Sequence, residues 1–586
     1  MHKNLIVLLF LFSANASVAA PISFRDETGA NAAEAKYGVT GEGVSVVVMD
    51  RGIDWDHPDF INPDGTTRIK WLYDMSPDHP TPVEYSEAQI NAALAGGPAI
   101  NERDAVGHGT VTTGLAAGNG RAVTGADFRG MAPGADLIIV KMTSEGAPAH
   151  GSQPAESPFI ASYLDALTWV DQKITALNQP AVGLINSGVQ WGPIDGTSLV
   201  SQKIDEVFGL DRPGRAYVSA SGDEGNLPNH AKANFSFLSP AVVAFDKSTT
   251  QTSYMQMWYD GDRAAKITIS FDDGTTVGPV FPNSNVSSNG VQIVHYLPGA
   301  NIGETWTSSS GDRAVWVAIT GHATGGTVKV ERTTVDFSSG TVDLYTPIDG
   351  SGTSPIPFTD HLTAGRLADF SSTESAIVVG AHVLLTNYTD VNGIVRNVSN
   401  EGAPQELWAH SSGGPTRDGR LHGVDVTAPG HNAFAAYAQE SYWGTLSFNL
   451  AEDGDGWYGR GGATSGSAPM VVGAIALLLE QFPDLTADEI RLLLRDTART
   501  DSFTGATPNA EWGYGKLDIL AALDAMHAVP EPGTLELLVA AMAALGTLCA
   551  VRVRRSLGHR HVPFGGAGGE VPGVNGLGAD RSSTGA

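Results

Sequence analysis

Gly462-Ala463-Thr464-Ser465-Gly466-Ser467-Ala468-Pro469-Met470-Val471-Val472-Gly473 is a glycine-rich turn that delivers a serine to an apolar run. The run continues as Ala474-Ile475-Ala476-Leu477-Leu478-Leu479 and reads as a buried helix. Small residues around Ser465 leave room for another backbone. A helix N-terminus beside a hydroxyl also presents N–H groups to developing negative charge. Alone the stretch decides little, because a serine before a helix is most often just a cap.

Two upstream stretches change its meaning. Val46-Val47-Val48-Met49 is an apolar strand pattern ending in Asp50, followed by Arg51-Gly52-Ile53-Asp54. Asp104-Ala105-Val106-Gly107-His108-Gly109-Thr110 sets a histidine at the start of a second segment, Val111 to Ala117. An acid, a base and a nucleophile thus occur in the order Asp, His, Ser. Other serine hydrolases use the orders His-Asp-Ser or Ser-Asp-His. Asp50 in VVVMDRGIDWDHPDF, His108 in GHGT and Ser465 in ATSGSAPMVVG together resemble the subtilase (subtilisin-like serine protease) family. The likeness covers roughly residues 35–240 and 365–525.

The resemblance implies an α/β fold: a subtilisin-like parallel sheet with helices on both faces. It implies that Ser465 attacks a carbonyl carbon, that His108 takes and returns the proton, and that Asp50 orients the imidazole. Four departures bear on the chemistry. Arg51 stands where a Ser or Thr usually supports the acid. Val111 replaces a second histidine. Asn186-Ser187-Gly188-Val189-Gln190 replaces Asn-x-Ser-Leu-Gly, so Gly188 and Val189 line the substrate cleft only by alignment. Asp223, in ASGDEG, occupies the place of the oxyanion Asn. Sedolisins use an Asp there but lack the histidine base, which this chain has. Ionised Asp accepts hydrogen bonds only. Asp223 therefore either donates as a neutral acid or leaves the Ser465 N–H to carry the oxyanion hole alone. Asp54, Asp56 and Asp59 read as solvated loop charge. Asp59 also falls where related proteases supply a calcium ligand, which leaves room for a structural calcium ion. No cofactor is required for the chemistry.

Composition sets the compartment and the partners. Lys+Arg total 35 against 63 Asp+Glu, a formal net charge of -28, which argues against nucleic acid as a partner. The single cysteine, Cys549, lies in an apolar C-terminal stretch, so the rest of the chain has no disulfide. Residues 1–20 carry Lys3, an apolar run from Leu5 to Phe12 and a small-residue site ending at Ala20, as a secretory signal peptide does. A buried N-terminal helix is the alternative. The catalytic segment begins soon after, leaving no space for a folded propeptide. Folding is then expected to proceed unaided or with a helper in trans.

The catalytic domain is expected over 21–241 and 347–528, interrupted by a β-sandwich over 242–346. Within the first part, Trp71 to Asn101 reads as a polar surface segment, and Leu137 to Lys141 and Val182 to Asn186 as buried strands with a helix, Ile160 to Val170, between them. The insert shows period-two runs such as Ile267-Thr268-Ile269-Ser270-Phe271 between polar turns, and resembles the jelly-roll insertion of some bacterial subtilases. Asp484 to Arg499 reads as an acid-capped helix. Pro530-Glu531-Pro532 then precedes an apolar run, Leu535 to Val551, and a cluster of arginines. Residues 529–555 resemble the sorting signal cleaved by an exosortase in Gram-negative bacteria, with 556–586 as a disordered tail. A permanent membrane anchor or a buried helix are the alternatives.

Two function classes follow. One is an exported endopeptidase acting on protein or peptide substrates at the cell envelope, at the cell surface or outside the cell. It would be processed by signal peptidase and an exosortase and held by the membrane before cleavage. The other is a weakly active or inactive scaffold that binds peptide or protein partners.

Overall fold

The computed structural model describes residues 23–528 apart from 77, 78, 80, 145–160, 189, 336–337, 347–355, 399–400 and 421–422. The signal peptide, Val189, the 529–555 segment and the tail therefore lie outside the described residues.

Val46 to Met49 are all buried, and their alternation decides the layering. Val46 and Val48 face one core with the helices His108–Ala117 and Ala463–Gln481. Val47 and Met49 face a second core with the helices Tyr163–Leu177 and Leu199–Phe208. Successive strand residues point to opposite faces, so a strand apolar at every position must be covered on both. Among the described residues the sheet has eight strands. Their order is Val426–His431, Ala376–Val383, Arg215–Ala220, Ala181–Ile185, Ser45–Asp50, Asp136–Lys141, Ile69–Asp74 and Val83–Ser86. The pairings are parallel except the last. This is the α/β sheet, with helices on both faces, that the sequence predicts.

The expected surface segment after Trp71 is corrected. Ile69–Asp74 is a strand inside the sheet, Val83–Ser86 is the edge strand beside it, and Glu87–Leu94 is a helix with a Ser86–Gln89 capping box. The polar residues misled because Val83–Ser86 has no fully buried side chain and is placed by its main-chain pairing with Ile69–Asp74. Leu72 is fully buried, while Tyr73 stacks on Trp169 at 4.5 Å. The helix expected to reach Arg499 spans Ala487–Asp496, capped by Thr486 and Glu489.

Among the described residues between His230 and Tyr345, two antiparallel sheets share one apolar core. One has four strands, Thr276–Val280, Ala265–Phe271, Gly326–Arg332 and Ala241–Phe245. The other has six, from Ser284–Ser288 at one edge to His230–Phe235 at the other. Ala265–Phe271 and Gly326–Arg332 alternate buried with half-buried positions, as one-sided strands do. The first strand, His230–Phe235, lies upstream of the boundary expected at 242.

Candidate active site

Asp50 ends its strand with its carboxylate nearly fully buried. His108 opens its helix, and its Nδ1 lies 2.7 and 2.9 Å from the two Asp50 carboxylate oxygens. A carboxylate only accepts, so Nδ1 carries the proton and Nε2 is left with a lone pair. The Arg51 N–H donates to Asp50 Oδ1 at 2.6 Å. Arg51 thus supports the acid through its main chain, whatever its side chain.

The helix start is held by a residue that the sequence reading did not single out. Asp104 accepts from the Gly107 N–H at 2.7 Å, and from the Thr110 N–H at 2.8 Å and hydroxyl at 2.9 Å. Gly107 has φ 103, so the chain reverses there without a Cβ penalty. Burial pushes the Asp104 carboxyl up and these donors counter it. The available signal was an acid just before a histidine that starts a helix.

Ser465 is half-buried at the third position of its helix. Gly466 has no room for a side chain, since a Cβ there would lie 2.5 Å from the Gly430 oxygen. Ser467 donates to the Ala428 oxygen at 2.9 Å and accepts from the Gly430 N–H at 3.2 Å. Asn186 Nδ2 ties the Ser465 carbonyl, at 3.0 Å, to Thr112 of the histidine helix, at 2.8 Å. Two residues before the serine, Ala463 adopts φ 61, a region costly for a side chain. Its N–H donates to His431 Nδ1 at 3.2 Å. The His431 ring stacks on Trp408 at 5.0 Å, and its Nε2 meets the Glu401 carboxylate. Burial lowers His431 to about 4, which keeps it neutral.

Asp223 reaches the same turn. Its Oδ1 accepts from the Thr464 N–H at 3.1 Å and from the Thr464 hydroxyl at 2.6 Å. Its own N–H donates to Glu224 Oε2 at 3.0 Å. Burial first, and the Asp223 charge second, push Glu224 up to about 8.

A family profile described as the subtilase family matches residues 41–515. The chain belongs to the subtilase family. Over 120 residues, 20% of this chain and 24% of its relative, it is 35% identical to the serine protease AprX of Bacillus subtilis (strain 168). It is 35% identical over 106 residues to fervidolysin of Fervidobacterium pennivorans, covering 18% of this chain and 15% of that one. A calcium-dependent protease of Nostoc sp. is 33% identical over 92 residues, 15% of this chain and 14% of that protein. The chain thus matches at most about a quarter of the length of these relatives. Its fold is similar to that of the CspB protease of Clostridium perfringens. That likeness has TM-score 0.65 and 22% identity, covering 86% of this chain and 98% of that one.

The other positions that depart from the subtilase pattern are placed as follows. Val111 is buried in the core between the two catalytic-side helices. Gly188 is exposed, beside exposed Ser187. The expectation of solvated charge fails for Asp54 and Asp59. Burial, and then the neighbouring Asp56, push Asp54 up to about 8. Asp59 is fully buried, and its Oδ1 accepts from the Tyr458 hydroxyl at 2.6 Å and the Ala122 N–H at 3.3 Å. Asp54 is half-buried beside the histidine helix, its N–H donating to the Thr110 hydroxyl at 3.0 Å, and only Asp59 is fully covered. Among the described residues no group of three or more His, Cys, Asp or Glu side chains gathers as a metal site.

Proposed function

We propose that this chain is an Asp-His-Ser endopeptidase that hydrolyses peptide bonds. One observation carries the reading: His108 Nδ1 is held by both Asp50 oxygens, on a helix tied through Asn186 to the Ser465 main chain. Nε2 is then the base. It takes the Ser465 hydroxyl proton as Oγ attacks the scissile carbonyl, and returns it to the departing amine. Asp50 stabilises the imidazolium formed between these steps. The Ser465 N–H, near a helix N-terminus, supplies one donor to the oxyanion. Casein digestion tests the reading: wild-type protein cleaves it and Ser465→Ala protein does not.

A second reading is favoured by Asp223. Its Oδ1 accepts from Thr464, and the resemblance to the subtilase motif assigns an oxyanion-hole donor to this position. A subtilase that is slow for this reason would serve mainly to bind peptides. Gly188 belongs to the cleft edge on either reading, with Val189 beside it in sequence.

The remaining proposals concern location and ions. Residues 1–20 direct export and are removed by signal peptidase. The segment 529–555 holds the chain to the membrane until an exosortase removes it, leaving the enzyme at the envelope or outside a Gram-negative cell. Mass spectrometry of protein from the native host tests this by locating both ends. Calcium dependence is named for two of the relatives. Asp59 alone does not make a calcium site: its Oδ1 is taken by a hydroxyl and an N–H, and among the described residues no further acidic side chains gather with it to supply the several oxygen ligands calcium takes. A structural calcium ion would therefore sit elsewhere.

A further inference from the structure

The loop that follows Asn186 is exposed at Ser187 and Gly188 but returns to full burial at Gln190. Both ends of this exposed edge are anchored. Asn186 fixes the near end to Ser465 and Thr112. The far end is fixed by the β-sandwich. Gln256, fully buried on the strand Ser253–Tyr259, donates from Nε2 to the Gln190 carbonyl at 2.8 Å. Its Oε1 accepts from the Gly192 N–H at 3.0 Å and from Trp258 Nε1 at 3.2 Å. One side chain thus pairs with two loop peptides as a strand backbone would. Gln190 replaces the glycine of the subtilase pattern, and its Oε1 accepts from Asn229 Nδ2 at 2.7 Å.

The surroundings make this clamp stiff. Trp191 packs edge-on against Trp306 of the sandwich at 4.9 Å. Gly192 has φ 127, and a Cβ there would lie 2.6 Å from the Thr305 oxygen. Glu304 of the sandwich caps the helix Tyr163–Leu177, accepting from the Ser162 hydroxyl at 2.6 Å and the Tyr163 N–H at 2.8 Å. A sandwich that only covered the core would not need a buried glutamine bonded to both sides of one loop.

We propose that Gln256 is a positioning residue for peptide recognition, through which the β-sandwich holds the Ser187–Gly188 edge of the cleft in register with Ser465. The proposal rests on the endopeptidase reading of the cleft. Its physical basis is preorganisation: a loop already fixed in its bound shape loses less entropy when a peptide pairs with it.

The test uses the full chain and the variants Gln256→Leu and Asn229→Ala, which loosen the same loop from two partners. Three quantities are read: fluorophosphonate labelling of Ser465, KM for succinyl-Ala-Ala-Pro-Phe p-nitroanilide, and kcat/KM for acetyl-phenylalanine ethyl ester. Labelling and ester turnover should stay within about twofold of wild type, while KM for the tetrapeptide rises about tenfold in Gln256→Leu and less in Asn229→Ala. Unchanged KM overturns the proposal. So does an equal loss of labelling, ester turnover and peptide turnover, which is what a purely structural role gives. If wild type does not label, the endopeptidase reading fails. Gln256 is then judged by binding of the same tetrapeptide to Ser465→Ala protein with and without Gln256→Leu. Weaker binding supports its role; equal binding, or none, overturns it.

Discussion

Asp50 and Asp223 are both carboxylates that accept hydrogen bonds from the proposed catalytic machinery, but the two positions ask for different things. Asp50 accepts from His108 and from the Arg51 N–H. An imidazole that becomes a cation needs an acceptor there, so accepting is the function. Asp223 accepts from Thr464, the residue before the nucleophile. An oxyanion needs donors, so the same behaviour subtracts from the site. The comparison teaches that a carboxylate is right or wrong by the sign of the charge that develops beside it. On the proposed reading the acid–base half rests on the Asp50–His108 pair, and the oxyanion half is where the rate would be decided.

The largest effect should come from the acid–base half. His108→Ala or Ser465→Ala should lower peptidase activity by about a millionfold, since the three residues act as a unit. Circular dichroism and the melting temperature should stay near wild type. Retained activity in either variant would remove the asymmetry altogether. The oxyanion half predicts a change of opposite sign. Asp223→Asn supplies the missing donor while its side-chain oxygen still accepts from Thr464. Its kcat at neutral and alkaline pH should rise by about 10²-fold. An unchanged kcat would mean that Asp223 does not face the oxyanion.

Asp104→Asn is a smaller test of the Asp50 half. It weakens the bonds that start the histidine helix and should cost on the order of 2 kcal/mol of stability, read from urea unfolding. The smallest effect concerns Glu224, beside Asp223. Its folded pKa of about 8 lies above the ordinary 4.5 of an unfolded chain. Its protonated form therefore contributes stability that is full below pH 4.5 and is lost as pH rises toward 8. The slope is at most about 1.4 kcal/mol per pH unit. Glu224→Gln should flatten that part of the unfolding free energy between pH 5 and pH 8. An identical pH slope in the variant would place the titration elsewhere.

Much of this was legible in the sequence because it is local. The VVVMD run states its own two-sided burial, and the GHGT and ATSGSAPM segments carry the order Asp, His, Ser. What was not legible depends on partners far along the chain. Nothing near Asp59 in sequence announces Tyr458, and nothing near Gln190 announces Gln256. His431 sits in a strand, and its hold on the Ala463 N–H follows only from folding. Ser284–Ser288 is a strand without apolar alternation, paired through its main chain with Val291–His295. The edge strand after Trp71, Val83–Ser86, escaped for the same reason: its hydrogen bonds, not its side chains, place it.

The central claim is that His108, oriented by Asp50, activates Ser465. Labelling with a fluorophosphonate at pH 8, followed by mass mapping of the modified peptide, tests it most directly. The account predicts covalent label on Ser465 in wild type, and its loss in His108→Ala protein that still melts cooperatively. A wild-type protein that stays unlabelled, or a label carried on another residue, would contradict it.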